Sequence, residues 1–240
     1  PSMKPKQDKM KEQIPRLIEA LRDPVEGTLP DLRIAILDSD LGDALSGHCE
    51  TSATYGDRGM FQMRDAVGCG AHVGVRWLEY TKKQPINFTG ELSEVFGCLA
   101  SNLGVKGCGF EHQLGALEWA FYLEENKSQW DFLRPEAYLG IVILTDEDDC
   151  SAPPGTGMFA KFERTEAWSL RCATRAHMCD GVTLGYPSTG PVSVPYASCR
   201  ARMDDTCAGD VDTSRATSCN PLLKISRLAD SVKQLKGSLS

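Results

Sequence analysis

Apolar residues recur at helical spacing in four stretches of the chain, with charged and polar residues between them. The four predicted helices cover residues 6–22, 89–102, 111–125 and 222–235. Pro15 lies inside the first stretch and predicts a kink or a late start. Thr89 precedes the second stretch and is a favourable N-cap residue.

Two other stretches are apolar without interruption. They are Leu32–Leu37 and residues 137–145, and acidic residues follow each of them. An unbroken apolar run is typical of a strand that is covered on both faces, as in a parallel sheet between helices. Residues 76–81 fit either a strand or a short helix. The order of elements predicts an α/β fold with a doubly wound, mostly parallel sheet.

The acids after these two runs are the candidate chemistry. In open parallel sheets, ligands bind beyond the carboxyl ends of the strands, which is where Asp146 is expected. Asp38, Asp148 and Asp149 are candidates for the surroundings of a bound ion, because carboxylates suit hard cations. The alternative is that these acids cap turns or remain solvated.

Charge and hydropathy narrow the class of partner. The 240 residues carry a net charge of −7, and their basic residues form no stripe, which argues against a nucleic-acid partner. No apolar stretch reaches the length of a membrane span. An acidic chain of ordinary hydrophobic content, 41%, is compatible with binding divalent cations.

Ten cysteines without a CxxC pair favour a disulfide framework in an oxidising compartment over a zinc site. Reduced, buried thiols are the alternative. Spacing suggests one bond between Cys98 and Cys108 and another between Cys49 and Cys69. The other six allow fifteen pairings. They are Cys150, Cys172, Cys179, Cys199, Cys207 and Cys219.

Composition changes after Cys150. Residues 151–221 are rich in Pro, Gly, Ser, Thr and Cys and lack periodicity, which predicts a cysteine-rich insertion held by its own disulfides. The α/β core is then formed by residues 1–150 together with 222–240.

Three segments resemble the von Willebrand factor type A family. Pro1-Ser2-Met3 before a helix resembles the end of its Asp-x-Ser-x-Ser motif, and Leu144-Thr145-Asp146 resembles its last metal-binding loop. Glu111 lies where the family has a threonine. The cysteine content is similar to that of a secreted bacterial branch that includes lipoproteins. The resemblance implies that the first strand, with the first Asp and Ser of the motif, precedes residue 1.

The resemblance also implies a divalent-cation site. Ser2, Glu111 and Asp146 would bind Mg²⁺ or Ca²⁺, with Mn²⁺ as an alternative, and a partner's carboxylate would complete the coordination. The protein is thus expected to be a non-enzymatic, extracytoplasmic adhesion module that binds a protein or a cell-surface ligand. It would be secreted, periplasmic or anchored as a lipoprotein.

Two alternatives remain open. Acidic clusters at strand ends also serve metal-dependent hydrolases, although the sequence contains no G-x-S-x-G, P-loop or HExxH motif. The third possibility is a metal-free structural surface domain.

Overall fold

The computed structural model describes residues 3–41, 56–105, 110–152, 172, 176–180, 182–183, 197–201 and 222–237. The chain divides into two compact units. The first unit comprises Pro1–Asp38, Met60–Lys106 and Ala120–Glu147, and the second comprises Ser39–Gly59, Gly107–Trp119 and Asp148–Ser240. Each unit is described by itself below.

Two helices and a small antiparallel sheet form the first unit. The helices are α1 (Lys4–Ala20) and α2 (Leu92–Ser101). The strands are β1 (Leu32–Ile34), β2 (Leu78–Thr81) and β3 (Gln84–Pro85), in the order β1-β2-β3. Every pairing in this sheet is antiparallel, so the predicted doubly wound parallel sheet is wrong.

The core of the first unit follows from the helical periodicity of the sequence. Ile14 and Ile18 of α1 are buried against the apolar side of α2, which contributes Val95 and Leu99. The predicted first helix is confirmed, although it begins at Lys4 and continues through Pro15 rather than starting late. Helix α2 begins at Leu92, and Thr89 does not cap it but donates its hydroxyl proton to the Gly70 carbonyl.

Aromatic side chains form a second group in this unit. Phe61 contacts Phe121 and Phe132 edge to face, with ring centroids 5.8 and 5.2 Å apart. The fully buried Gln129 accepts a hydrogen bond from the Phe61 amide and donates one to the Ala120 carbonyl. Gln129 lies in a 3₁₀ helix, Glu124–Phe132, that follows α3 (Gln113–Tyr122).

The predicted buried strand at 137–145 is absent. Residues 138–144, here called the exposed apolar segment, belong to no helix, turn or strand. Tyr138 is fully exposed and Val142 is 73% exposed. An unbroken apolar run requires covering elements on both faces, and the described residues place none there.

The second unit combines helices with another small antiparallel sheet. Its strands are β4 (His177–Cys179), β5 (Val182–Thr183) and β6 (Cys199–Ala201), in the order β5-β4-β6. The C-terminal helix α4 (Ile225–Gly237) buries Leu228 and Leu235, as its periodicity predicts. A small core contains Phe110, Cys150, Ala152, Ala176 and Leu222. The predicted insertion, 151–221, lies largely outside the described residues and stays a prediction.

Three disulfides join the described cysteines. Cys69 is bonded to Cys98, so the suggested pairs Cys49–Cys69 and Cys98–Cys108 are wrong. The other two bonds are Cys150–Cys172 and Cys179–Cys199. Cys49, Cys108, Cys207 and Cys219 lie outside the described residues. The three bonds indicate an oxidising, extracytoplasmic environment.

No helix in the part of the chain described above is long and apolar enough to cross a bilayer.

Candidate functional site

Three loops meet in the second unit around Glu111. The Ser39 hydroxyl donates a hydrogen bond to the Glu111 carboxylate, and the His112 amide donates to the Ser39 carbonyl at 3.2 Å. The Cys150 amide donates to the Glu111 carbonyl at 2.6 Å. These hydrogen bonds hold three segments together. They are the loop that contains Ser39, the residues just before α3, and the residues just after the acids 146–149.

Asp149 caps helix α3 from a distant part of the chain. Its Oδ1 accepts hydrogen bonds from the Leu114 amide at 2.9 Å and from the Ser151 hydroxyl at 2.8 Å. The Ser151 hydroxyl in turn accepts from the Gly115 amide at 2.8 Å. A carboxylate at a helix N-terminus satisfies amides that have no partner within the helix and interacts favourably with the helix dipole.

His112 lies in the same region, and burial dominates its chemistry. The side chain is 1% exposed, with its ring centroid 6.4 Å from that of Phe110. Burial lowers the pKa of His112 to about 4, because the charged imidazolium loses its hydration. The ring is therefore neutral at neutral pH. Its adjacency to Glu111 in sequence gave no sign of this environment.

Two of the predicted metal ligands belong to different units of the chain. Glu111 belongs to the second unit and the half-buried Asp146 to the first, while Ser2 lies outside the described residues. Within the described ranges, no group of three or more His, Cys, Asp or Glu side chains is placed to hold a metal ion. The Ser2, Glu111 and Asp146 site therefore stays a prediction.

The flanking acids occupy three different settings. Asp38 accepts a hydrogen bond from the Arg64 guanidinium at 3.2 Å, which forms a partly buried ion pair. Asp148 is exposed, and Asp149 caps α3 as described above. Thr145 forms a local turn with Glu147, since each of the two residues donates a hydrogen bond to the other. That turn follows the exposed apolar segment and contains the first two acids, Asp146 and Glu147.

The exposed apolar segment is the most distinctive surface of the first unit. Five of its seven residues are exposed large hydrophobics: Tyr138, Ile141, Val142, Ile143 and Leu144. The structure gives residues 138–144 no hydrogen bond to the rest of the described chain, by main chain or side chain. The sequence predicted this run to be a buried strand, and that prediction is wrong.

Comparison with protein-family models, with curated proteins and with solved structures found no match.

Proposed function

We propose that this protein is an extracytoplasmic binding module and that it engages a protein or surface ligand through the exposed apolar segment. The exposure of five large hydrophobic side chains in seven consecutive residues carries the proposal. Soluble domains rarely leave contiguous apolar surface uncovered unless it binds something. Residues 138–144 also offer main-chain donors and acceptors that an extended ligand segment can use.

The surroundings of the segment favour specific binding over non-specific hydrophobic association. Asp146 and the exposed Glu147 follow it after Thr145 and supply negative charge on one side. Arg134 precedes it and donates a hydrogen bond to the Asp31 carbonyl, which places a cation in the turn on the other side. An apolar centre between polar flanks is the usual anatomy of a protein interface.

A disulfide in the first unit suits exposure outside the cytoplasm. A disulfide between Cys69 and Cys98 ties α2 to the loop that precedes β2. A cross-link of this kind stabilises a small core mainly by restricting the unfolded chain, by about 3 kcal/mol for loops of this length. Secretion, a periplasmic location and lipoprotein anchoring are all consistent with it, and membership in the type A family remains a prediction.

A divalent cation is the second part of the proposal. Asp146 lies two residues after the segment and offers a carboxylate of the kind that Mg²⁺, Ca²⁺ and Mn²⁺ accept as a ligand. Calorimetric titration with each cation should give binding heat for the native chain and for an Asp131→Ala control, and none for Asp146→Ala. Titrations without heat for all three cations, or with equal heat in all three proteins, would contradict the cation claim.

The binding claim is tested with two matched variants. Val142, in the segment, and Val73, elsewhere in the first unit, are 73% and 85% exposed, and each is replaced by lysine. The native protein and Val73→Lys should retain a common partner from an envelope extract of the source cells, and Val142→Lys should lose it. If no protein or surface component distinguishes the two variants, the segment is not the contact surface.

A further inference from the structure

The side-chain amide of Asn102 lies against the disulfide between Cys69 and Cys98. Its Nδ2 donates a hydrogen bond to the Cys69 Sγ at 3.3 Å and lies 3.8 Å from the Cys98 Sγ. Asn102 is the C-cap residue of α2, and its main-chain amide donates to the carbonyls of Cys98 and Leu99, which fixes the base of the side chain. A hydrogen bond to sulfur strengthens when the sulfur becomes a thiolate, because one partner is then charged.

The two sulfurs of this bond differ in access. Cys69 is buried, with 7% exposure, whereas Cys98 is only partly buried against the core of the first unit. Thiol–disulfide exchange begins when a thiolate reaches one of the two sulfurs, so its rate depends on access. The more accessible Cys98 is therefore the sulfur that an external thiolate attacks.

The surroundings of the bond favour Cys69 as the leaving group. A Cys69 thiolate would keep the hydrogen bond from Asn102. Cys98 lies in the last turn of α2, where the negative end of the helix dipole disfavours a thiolate. Exchange is faster when the leaving thiolate is more stable. Access and charge thus select the same direction of opening, with attack at Cys98 and departure of Cys69.

Hydrogen bonds beside the disulfide hold the same chain segments together without it. Cys69 lies in a turn that stays joined to the residues before α2, because the Thr89 amide donates to the Gly70 carbonyl at 2.8 Å. Ala71 and Phe88 also pair in an antiparallel bridge. These contacts keep the two thiols of an opened bond near each other, so the bond can form again.

We infer that the bond between Cys69 and Cys98 is a redox-sensitive switch, which a dithiol reductant opens through Cys98. One thiolate of the reductant attacks the Cys98 Sγ and forms a mixed disulfide, while the bond between the protein sulfurs breaks and its electron pair leaves on Cys69. The second thiolate of the reductant then displaces Cys98. The two protons of the reductant pass to Cys69 and Cys98, so the reductant ends as a disulfide and the protein as two thiols. This switch is independent of the exposed apolar segment.

Trapping with glutathione, a single thiol, tests the site of attack. The native protein is exposed briefly to glutathione at neutral pH, quenched with N-ethylmaleimide, digested and analysed by mass spectrometry. Glutathione should be found on Cys98 and N-ethylmaleimide on Cys69. Glutathione on Cys69, or on both residues equally, would overturn the inference.

The rate of opening tests the role of Asn102. Dithiothreitol, a dithiol, should open the bond in the folded native protein, and Asn102→Ala should slow this step by about threefold or more, because the leaving thiolate loses a charge-assisted hydrogen bond. The bond between Cys179 and Cys199 lies in the second unit and is the internal control, since Asn102→Ala should leave its rate unchanged.

Three results of the rate experiment contradict the switch. They are equal or faster opening in Asn102→Ala, equal slowing of both disulfides in that variant, and opening in the native protein only when the chain unfolds. Circular dichroism during the reaction reports whether the native protein and the variant are folded as the bond opens.

Discussion

Asp149 and Leu114 are 35 residues apart in the chain, and the Asp149 carboxylate accepts a hydrogen bond from the Leu114 amide at 2.9 Å. This contact ties the end of the acidic run to the first turn of α3. The same carboxylate accepts hydrogen bonds from the hydroxyl and the amide of Ser151. One of the four acids after the apolar run therefore has a structural role that the sequence did not reveal.

Removal of this cap should destabilise the protein. Asp149→Ala is expected to lower the free energy of unfolding by about 1–2 kcal/mol, as the loss of a helix cap usually does. Urea denaturation measures the change. Asp148→Ala is the matched control, since that side chain is exposed, and it should alter stability by less than about 0.5 kcal/mol. Equal effects of the two substitutions would show that Asp149 is not the cap.

Two helical glycines should respond in opposite ways to alanine. A Cβ at Gly115 would lie 2.9 Å from the Ser151 Oγ and 3.2 Å from Leu41, whereas one at Gly97 meets only Lys11 at 3.5 Å. Gly97→Ala should therefore gain up to about 1 kcal/mol from helix propensity. Gly115→Ala should instead lose about 1 kcal/mol, because crowding at the cap outweighs that gain. Thermal denaturation of both variants checks the signs, and stabilisation by Gly115→Ala would contradict the packing at Ser151.

His112 should make stability depend on pH in mildly acidic solution. Its pKa is lowered to about 4 by burial in the folded chain and returns to about 6.5 on unfolding, so the unfolded chain binds more protons between these values. Stability from this residue is present above pH 6.5 and lost as the pH falls towards 4, by about 1.4 kcal/mol per pH unit.

Urea denaturation at several pH values measures this dependence. His112→Gln, which has no titrating ring, should show a shallower fall in stability over that window than the native protein. Identical pH profiles for the two proteins would mean that His112 is accessible to protons in the folded state.

The disulfide between Cys69 and Cys98 gives a chemical test of the fold. Non-reducing digestion followed by mass spectrometry should recover these two cysteines in one linked peptide pair. Replacement of both by serine should lower the free energy of unfolding by about 3 kcal/mol, through greater freedom of the unfolded chain. Recovery of Cys98 linked to Cys108 would instead restore the pairing that spacing suggested.

Local patterns predicted the helices well and the sheets poorly. Helices α1 and α4 follow from periodicity within one segment, because each presents a single apolar side. Strand pairing depends on distant residues, so the antiparallel partner of β1, residues 78–81, could not be read from the run at Leu32. The run at 137–145 has the composition of a buried strand, and composition alone does not supply the neighbours that bury it.

The candidate site was predictable only in part. The sequence singled out Glu111, Asp146 and the acids around them, but the hydrogen bond from Ser39 to Glu111 joins residues 72 positions apart. The Asp149 cap and the burial of His112 likewise depend on chain segments that meet only in the folded unit. Cysteine pairing had the same limit, since spacing cannot choose among connectivities.

Amide hydrogen exchange of residues 138–144 tests the central claim most directly, because it reports whether these main-chain groups are paired. In dilute, monomeric protein the segment should exchange at nearly the rate of an unstructured peptide, and it should become protected when a ligand of the segment is bound. Strong protection in the dilute monomer would show that the segment is paired within its own chain, and the exposed binding surface would then not exist.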